Sequence, residues 1–98
     1  MTNKTQAKAL LLLEKAETAL LSKDIKNARK FSLAAVKMDA NLEEGWLILA
    51  SVSEPVKSIE FLKHALEINP RSKKARLGMQ WAVKELRKEQ HNTSKPLS

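Results

Sequence analysis

The sequence predicts an all-α domain in which short helices alternate with short loops. Three observations lead there. The 98 residues contain only two glycines and three prolines and are rich in Leu, Ala, Lys and Glu, a composition that favours helix over sheet or disorder. Apolar residues recur at spacings of three and four, the period of one helix face. Each periodic stretch is bounded by a capping residue or a proline.

Helix one is expected over about residues 5–22. Ala9, Leu12, Leu13, Ala16, Ala19 and Leu20 draw its stripe, while Leu10, Leu11 and Leu21 lie off it and imply burial on a second side. Ser22-Lys23-Asp24 interrupts the pattern, and Asp24 is a good N-cap because its carboxylate accepts from the free amides of the next turn. Helix two follows over 25–38, with Ala28, Phe31, Ser32, Ala35 and Met38 turned inward. Asn41 followed by Glu44 has the spacing of a capping box. It starts helix three, 42–52, which holds Trp46, Leu47, Leu49 and Ala50. Ser53 or Glu54 caps helix four, 55–68, and Pro55 stands where the first turn lacks an amide partner anyway. Ile59, Leu62, Ala65, Leu66 and Ile68 are its apolar residues.

Asn69-Pro70 stops helix four, since the residue before proline is pushed out of helical geometry. Ser72 caps helix five, 73–88, whose stripe is Ala75, Met79, Ala82, Val83 and Leu86. Residues 90–98 are polar, contain Pro96 and read as a flexible tail, so 1–89 is expected to be one domain.

The net charge of +7 is uneven, with basic excess at both ends and an acidic middle over residues 42–70. The run Arg71, Lys73, Lys74 and Arg76, with Lys84, Arg87 and Lys88 further along, is the sharpest charge feature. It reads either as a solvated end to the domain or as a surface for an anionic partner. No stretch reaches the ~20 apolar residues of a membrane span, and the N-terminus lacks a signal-peptide core. The chain therefore reads as soluble and cytoplasmic.

No residue group suggests catalysis. Without cysteine there is no disulfide and no thiolate metal site. His64 and His91 have no second ligand at metal spacing; His64 reads as a surface residue and His91 falls in the tail. Glu43-Glu44 is explained by a first helical turn, where carboxylates meet the positive end of the helix dipole. Asn92-Thr93-Ser94 is a glycosylation sequon without a secretory context. The expectation is a non-enzyme with no cofactor and no metal.

An internal period is present. Leu12 and Trp46 are 34 residues apart at corresponding points of helices one and three. Residues 35–41, Ala-Val-Lys-Met-Asp-Ala-Asn, match 65–71, Ala-Leu-Glu-Ile-Asn-Pro-Arg, at a distance of 30, and small residues follow at Gly45 and Ala75. Over residues 7–88 the chain resembles the tetratricopeptide repeat family, whose helix pairs repeat about every 34 residues. Trp46, Leu49, Ala50, Leu62, Ala65 and Pro70 match its large, small and turn positions once a four-residue deletion near Ser53-Glu54-Pro55 is allowed. Leu12, Ala16, Ala28 and Ala35 match in the first repeat, where Lys15, Ser32 and Ala40 depart from the pattern. Residues 9–38 show a fainter likeness to the microtubule-interacting and transport domain, whose three helices leave no place for two more.

The tetratricopeptide resemblance implies two antiparallel helix–turn–helix repeats plus a C-terminal capping helix, wound into a right-handed superhelical array. It implies a protein-interaction scaffold that holds a peptide or helix of a partner in a groove lined by Leu13, Glu17, Leu20, Leu47 and Ser51. Leu13, Glu17 and Ile48 stand where some relatives carry a carboxylate clamp, so that clamp is absent. Trp46 matches a core position. Trp81 lies off its helix stripe and reads equally as an exposed anchor for a partner or as a side chain buried on the capping helix's other side. The alternatives are a basic module for nucleic acid or another anionic surface, which has few aromatics to stack on bases, and a self-associating unit using Leu10, Leu11 or Leu21.

Overall fold

The computed structural model describes residues 3–93. Among them are five helices and no strand: α1 (Lys4–Leu21), α2 (Ile25–Met38), α3 (Glu43–Ser51), α4 (Pro55–Ile68) and α5 (Lys73–Thr93). The all-helical expectation holds.

Local capping explains most boundaries. Asn3 and Gln6 form a reciprocal capping box, so α1 starts at Lys4, one residue before the expected bound. Asp24 caps α2 by accepting from the Asn27 amide at 3.2 Å. The Ser72 hydroxyl accepts from the Ala75 amide at 3.1 Å and starts α5.

Two expected caps are corrected. Asn41 does not cap α3; the N-cap is Leu42, with no side-chain bond. The Asn41 amide instead donates to the Asp39 carboxylate at 3.0 Å, a turn that carries the chain one residue further before the helix begins. Glu54 precedes α4 without a side-chain bond, and the Ser53 hydroxyl turns back to the Leu49 carbonyl at 2.6 Å. The tail is corrected too: α5 runs to Thr93, so residues 90–93 are helical. No glycine or proline interrupts the chain between Gly78 and Pro96, and nothing there opposes propagation of the helix. Residues 94–98 of the expected tail lie outside the described residues.

The 30-residue period appears in the backbone. Asp39 ends α2 at φ −143°, ψ 99°, and Asn69 ends α4 at φ −136°, ψ 91°. Each donates its amide to an alanine four residues back, Ala35 or Ala65. Each side chain then accepts from the amide two residues on, at 3.0 Å for Asn41 and 3.1 Å for Arg71. α2 and α4 are both 14 residues long. The buried set Ala28, Ser32 and Ala35 in α2 recurs as Ser58, Leu62 and Ala65 in α4. The two loops are also tied together: Asn69 Nδ2 donates to Glu43 Oε1 at 3.0 Å.

Consecutive helices pack together across loops of three or four residues, which makes them antiparallel neighbours. In addition α1 meets α3 and α3 meets α5, whereas no Cα atom of α2 lies within 8 Å of one in α4. The odd helices therefore gather on one side of the array. Its radius of gyration is 15.2 Å, above the ~13 Å of a compact domain of this length, as a row of helices requires.

The core is divided between two clusters, and α3 belongs to both. Ile48 and Val52 join Ala16, Ala19 and Ala28, with Leu13, Leu20 and Phe31 against them. Ala50 joins Leu62, Ala65, Ala75 and Ala82, with Trp46, Leu47 and Met79 against them. Alanines dominate because helix axes approach closely only where side chains are short. Two expectations about the stripes fail. Leu10, Leu11 and Leu21 are 48%, 53% and 85% exposed, so α1 buries a single face. Met38 is exposed at the end of α2, and Val36 is buried in its place, because α3 crosses α2 at Val36.

That crossing fixes Gly45. A Cβ there would lie 2.7 Å from Val36 Cγ1, a branched and buried side chain with little room to turn. A Cβ at Gly78 would meet only the terminal methyls of Leu62, at 3.1 and 3.3 Å. Alanine gains ~1 kcal/mol over glycine in a helix, while overpacking costs about 1–3 kcal/mol. Gly45→Ala is therefore expected to lower stability by ~1 kcal/mol and Gly78→Ala to leave it level or raise it. Urea unfolding of both checks this, and equal losses would contradict the distinction.

α3 is only nine residues long and gets help at its C-terminal end, where carbonyls lack helical partners. The Ser58 hydroxyl of α4 donates to Ala50 O at 2.5 Å. The Arg29 guanidinium of α2 donates to Val52 O through Nε at 3.2 Å and Nη2 at 2.5 Å. Both flanking helices thus cap the short one between them.

Candidate partner groove

α1, α3 and α5 leave a cleft of about 500 Å³ between them. Leu20 stands at one wall, Leu47 and Ser51 along the middle, and Trp81 at the far wall. Gly78 and Leu62 lie between Trp81 and α3. Gly78 lines the α5 side of the cleft without a side chain. Glu44 and Lys74 stand at the rim, paired at 3.5 Å.

Of the groove residues expected from the sequence, Leu20, Leu47 and Ser51 come together here. Leu13 and Glu17 do not. Leu13 is drawn into the first core cluster, and Glu17 is exposed outside the cleft. The reason is length. α3 spans only ~14 Å against ~27 Å for α1, so the cleft forms near one end of α1 and spreads toward α5. Ile48 is 5% exposed and packs in the first cluster while touching the cleft.

Trp81 is 51% exposed, so its indole is not buried on a second side of α5. Trp46 is half-buried against the second cluster. Its Nε1 donates to Ala40 O at 2.8 Å, and His64 stacks on it with ring centroids 4.2 Å apart and planes 14° from parallel. His64 is exposed as expected, but the stack was not legible, because the two residues lie on different helices.

Arg71, Lys73, Lys74, Arg76, Lys84, Arg87 and Lys88 are all exposed. Their settings differ. Lys74 belongs to the cleft rim, and Lys88 pairs with Glu85 at 3.3 Å. Lys73, Arg76, Lys84 and Arg87 follow each other at helical spacing on the outward side of α5. Both ion pairs are exposed and contribute at most ~1 kcal/mol each.

Among the described residues, no group of three or more His, Asp or Glu is placed to hold a metal ion, and no helix is long and apolar enough to cross a membrane. No protein-family profile matches the chain, and no curated protein or solved structure matches it.

Proposed function

We propose that this chain is a tetratricopeptide-type interaction scaffold, which binds an apolar or amphipathic segment of a partner protein between α1, α3 and α5. The observation that carries this reading is the cleft itself. Leu20, Leu47 and half-exposed Trp81 line one opening whose charged groups, Glu44 and Lys74, stand at its rim. Apolar walls with a few polar rim groups are the usual make-up of a binding cleft, and an amphipathic helix laid into an apolar groove is a common recognition mode. The repeated loop geometry and the gathering of the odd helices on one side support the family reading.

The experiment is a quantitative pull-down from native lysate with wild-type and Leu47→Glu baits. Leu47 lines the cleft but is partly buried against the second core cluster, so circular dichroism first checks that the variant keeps its fold. A partner recovered by wild type should be lost, by at least about tenfold, with the variant (≥ ~1.4 kcal/mol). Equal recovery by both baits would remove the cleft from the interaction.

A second reading, binding of nucleic acid or another anionic surface, is favoured by the outward basic row of α5. A gel shift at ~0.1 M salt tests it, because phosphate contacts release counterions and must weaken as salt rises. Self-association through Leu10, Leu11 or Leu21 has those side chains exposed on α1; end-to-end stacking at α5 is less supported. Positions of α5 that match Trp46, Leu47 and Ala50 at the 30-residue period hold Arg76, Leu77 and Gln80. A further helix stacked there would meet two polar residues in place of two core ones.

A further inference from the structure

We infer that the partner segment is acidic: an amphipathic helix whose apolar face enters the cleft and whose carboxylates flank it toward α5. This rests on the cleft reading above and adds the chemistry of the occupant. At 100° per residue, Lys73, Arg76, Lys84, Arg87 and Lys88 lie within an arc of about 120° on α5. No carboxylate of residues 73–89 shares that arc, since Glu85 and Glu89 fall outside it. Among the described residues only Lys74 and Lys88 of the α5 cations are within ion-pair distance of a carboxylate. Trp81 borders the arc. Lys74 and Lys88 lie seven residues before and after it, hence on nearly the same line, each ~10 Å away. An exposed aromatic anchor thus has a cation two turns above it and two turns below it.

Charge complementarity selects the occupant. A second copy of this chain carries a net charge of +7 overall, which opposes its approach, and of the carboxylates in its acidic middle Glu43 and Glu44 already hold Asn69 and Lys74. Nucleic acid would satisfy the cations. It would leave Leu77, 65% exposed within the basic arc, and the aliphatic walls formed by Leu20 and Leu47 without apolar partners. An acidic amphipathic helix satisfies both kinds of group. The exposed Glu44–Lys74 and Glu85–Lys88 pairs are weak enough to exchange partners.

The test is selection of a displayed library of random 16-residue peptides against the full-length chain. Enriched peptides are then measured by fluorescence anisotropy against wild type, Leu47→Glu, and the triple variant Lys73→Glu/Arg76→Glu/Lys84→Glu. The three cations are exposed whereas Leu47 is partly buried, and circular dichroism of both variants checks that the fold is kept. The expected binders carry apolar residues at helical spacing and a net negative charge. They should be lost with Leu47→Glu and weakened about tenfold or more with the triple variant, and should bind more weakly as salt rises. Binders that need Leu47 but show no acidic bias and no response to the triple variant would overturn the inference and leave the cleft reading standing. Failure to obtain any binder that needs Leu47 would overturn both. A 20-nucleotide single strand that binds at ~0.1 M salt more tightly than every selected peptide would overturn the inference in favour of nucleic acid.

Discussion

Leu49→Ala is expected to lower the free energy of unfolding by roughly 2–4 kcal/mol. Leu49 is 2% exposed and is the largest of the fully buried side chains. It sits on α3, the helix shared by both core clusters. Truncation removes its burial and leaves a void. Arg29, Leu33 and Phe61 surround a surface depression beside it, so partial collapse or water entry keeps the effect from the top of the usual range. A domain of 98 residues has a total stability of ~5–15 kcal/mol, so this is a substantial fraction. The melting temperature should fall by at least about 10 °C, and the urea midpoint should fall with an unchanged slope. A loss below ~1 kcal/mol would mean that α3 is not held between its neighbours as described.

Ala65→Leu is expected to cost about 3 kcal/mol through the opposite fault. Ala65 has no exposed surface and lies with Ala75, Ala82 and Leu62 where α4 meets α5. Three added carbon atoms must force the two axes apart or drive neighbouring side chains off their rotamers. Ala7→Leu supplies the control, since Ala7 is exposed on α1 and surface changes usually stay within ~0.5 kcal/mol. Chemical denaturation of both variants decides it. Similar stabilities would show that the helices are not in close contact at Ala65, and the alanine-based account of packing would then be wrong.

The legible part of this protein is the part written in short-range chemistry. Asp24, Pro55 and Ser72 announce helix starts because a cap acts within one turn. The match between residues 35–41 and 65–71 announced a repeated loop, and the loops share their backbone angles and side-chain bonds. The errors arose where two short-range signals competed or where the neighbour was unknown. Asn41 and Glu44 had a capping spacing, but the Asn41 amide is held by Asp39 and the helix begins with Leu42 as its N-cap. Leu10, Leu11 and Leu21 looked like a second buried face, but no helix covers that side of α1. Val36 could have been found, since it lies four residues after Ser32 on the α2 stripe. Nothing in the sequence pointed to Arg29 capping α3 or to His64 stacking on Trp46, because each contact joins two helices.

The cleft divides along the same line. Leu20, Leu47 and Ser51 were expected in it from the family resemblance, whereas Trp81 was open between an exposed anchor and a side chain buried on the other side of α5. Only the packing showed that Leu13 turns into the core, that Glu17 stays outside, and that Lys74 and Glu44 form the rim. By itself the sequence determined the all-helical class, the order and approximate bounds of five helices, and the period of the loops. Those properties depend on propensity, caps and spacing within a few residues. The tertiary structure alone decided which apolar residues are covered and where the cleft opens. Those depend on how closely one helix can approach another, which is set at Gly45, Gly78 and the buried alanines by atoms far apart in the chain.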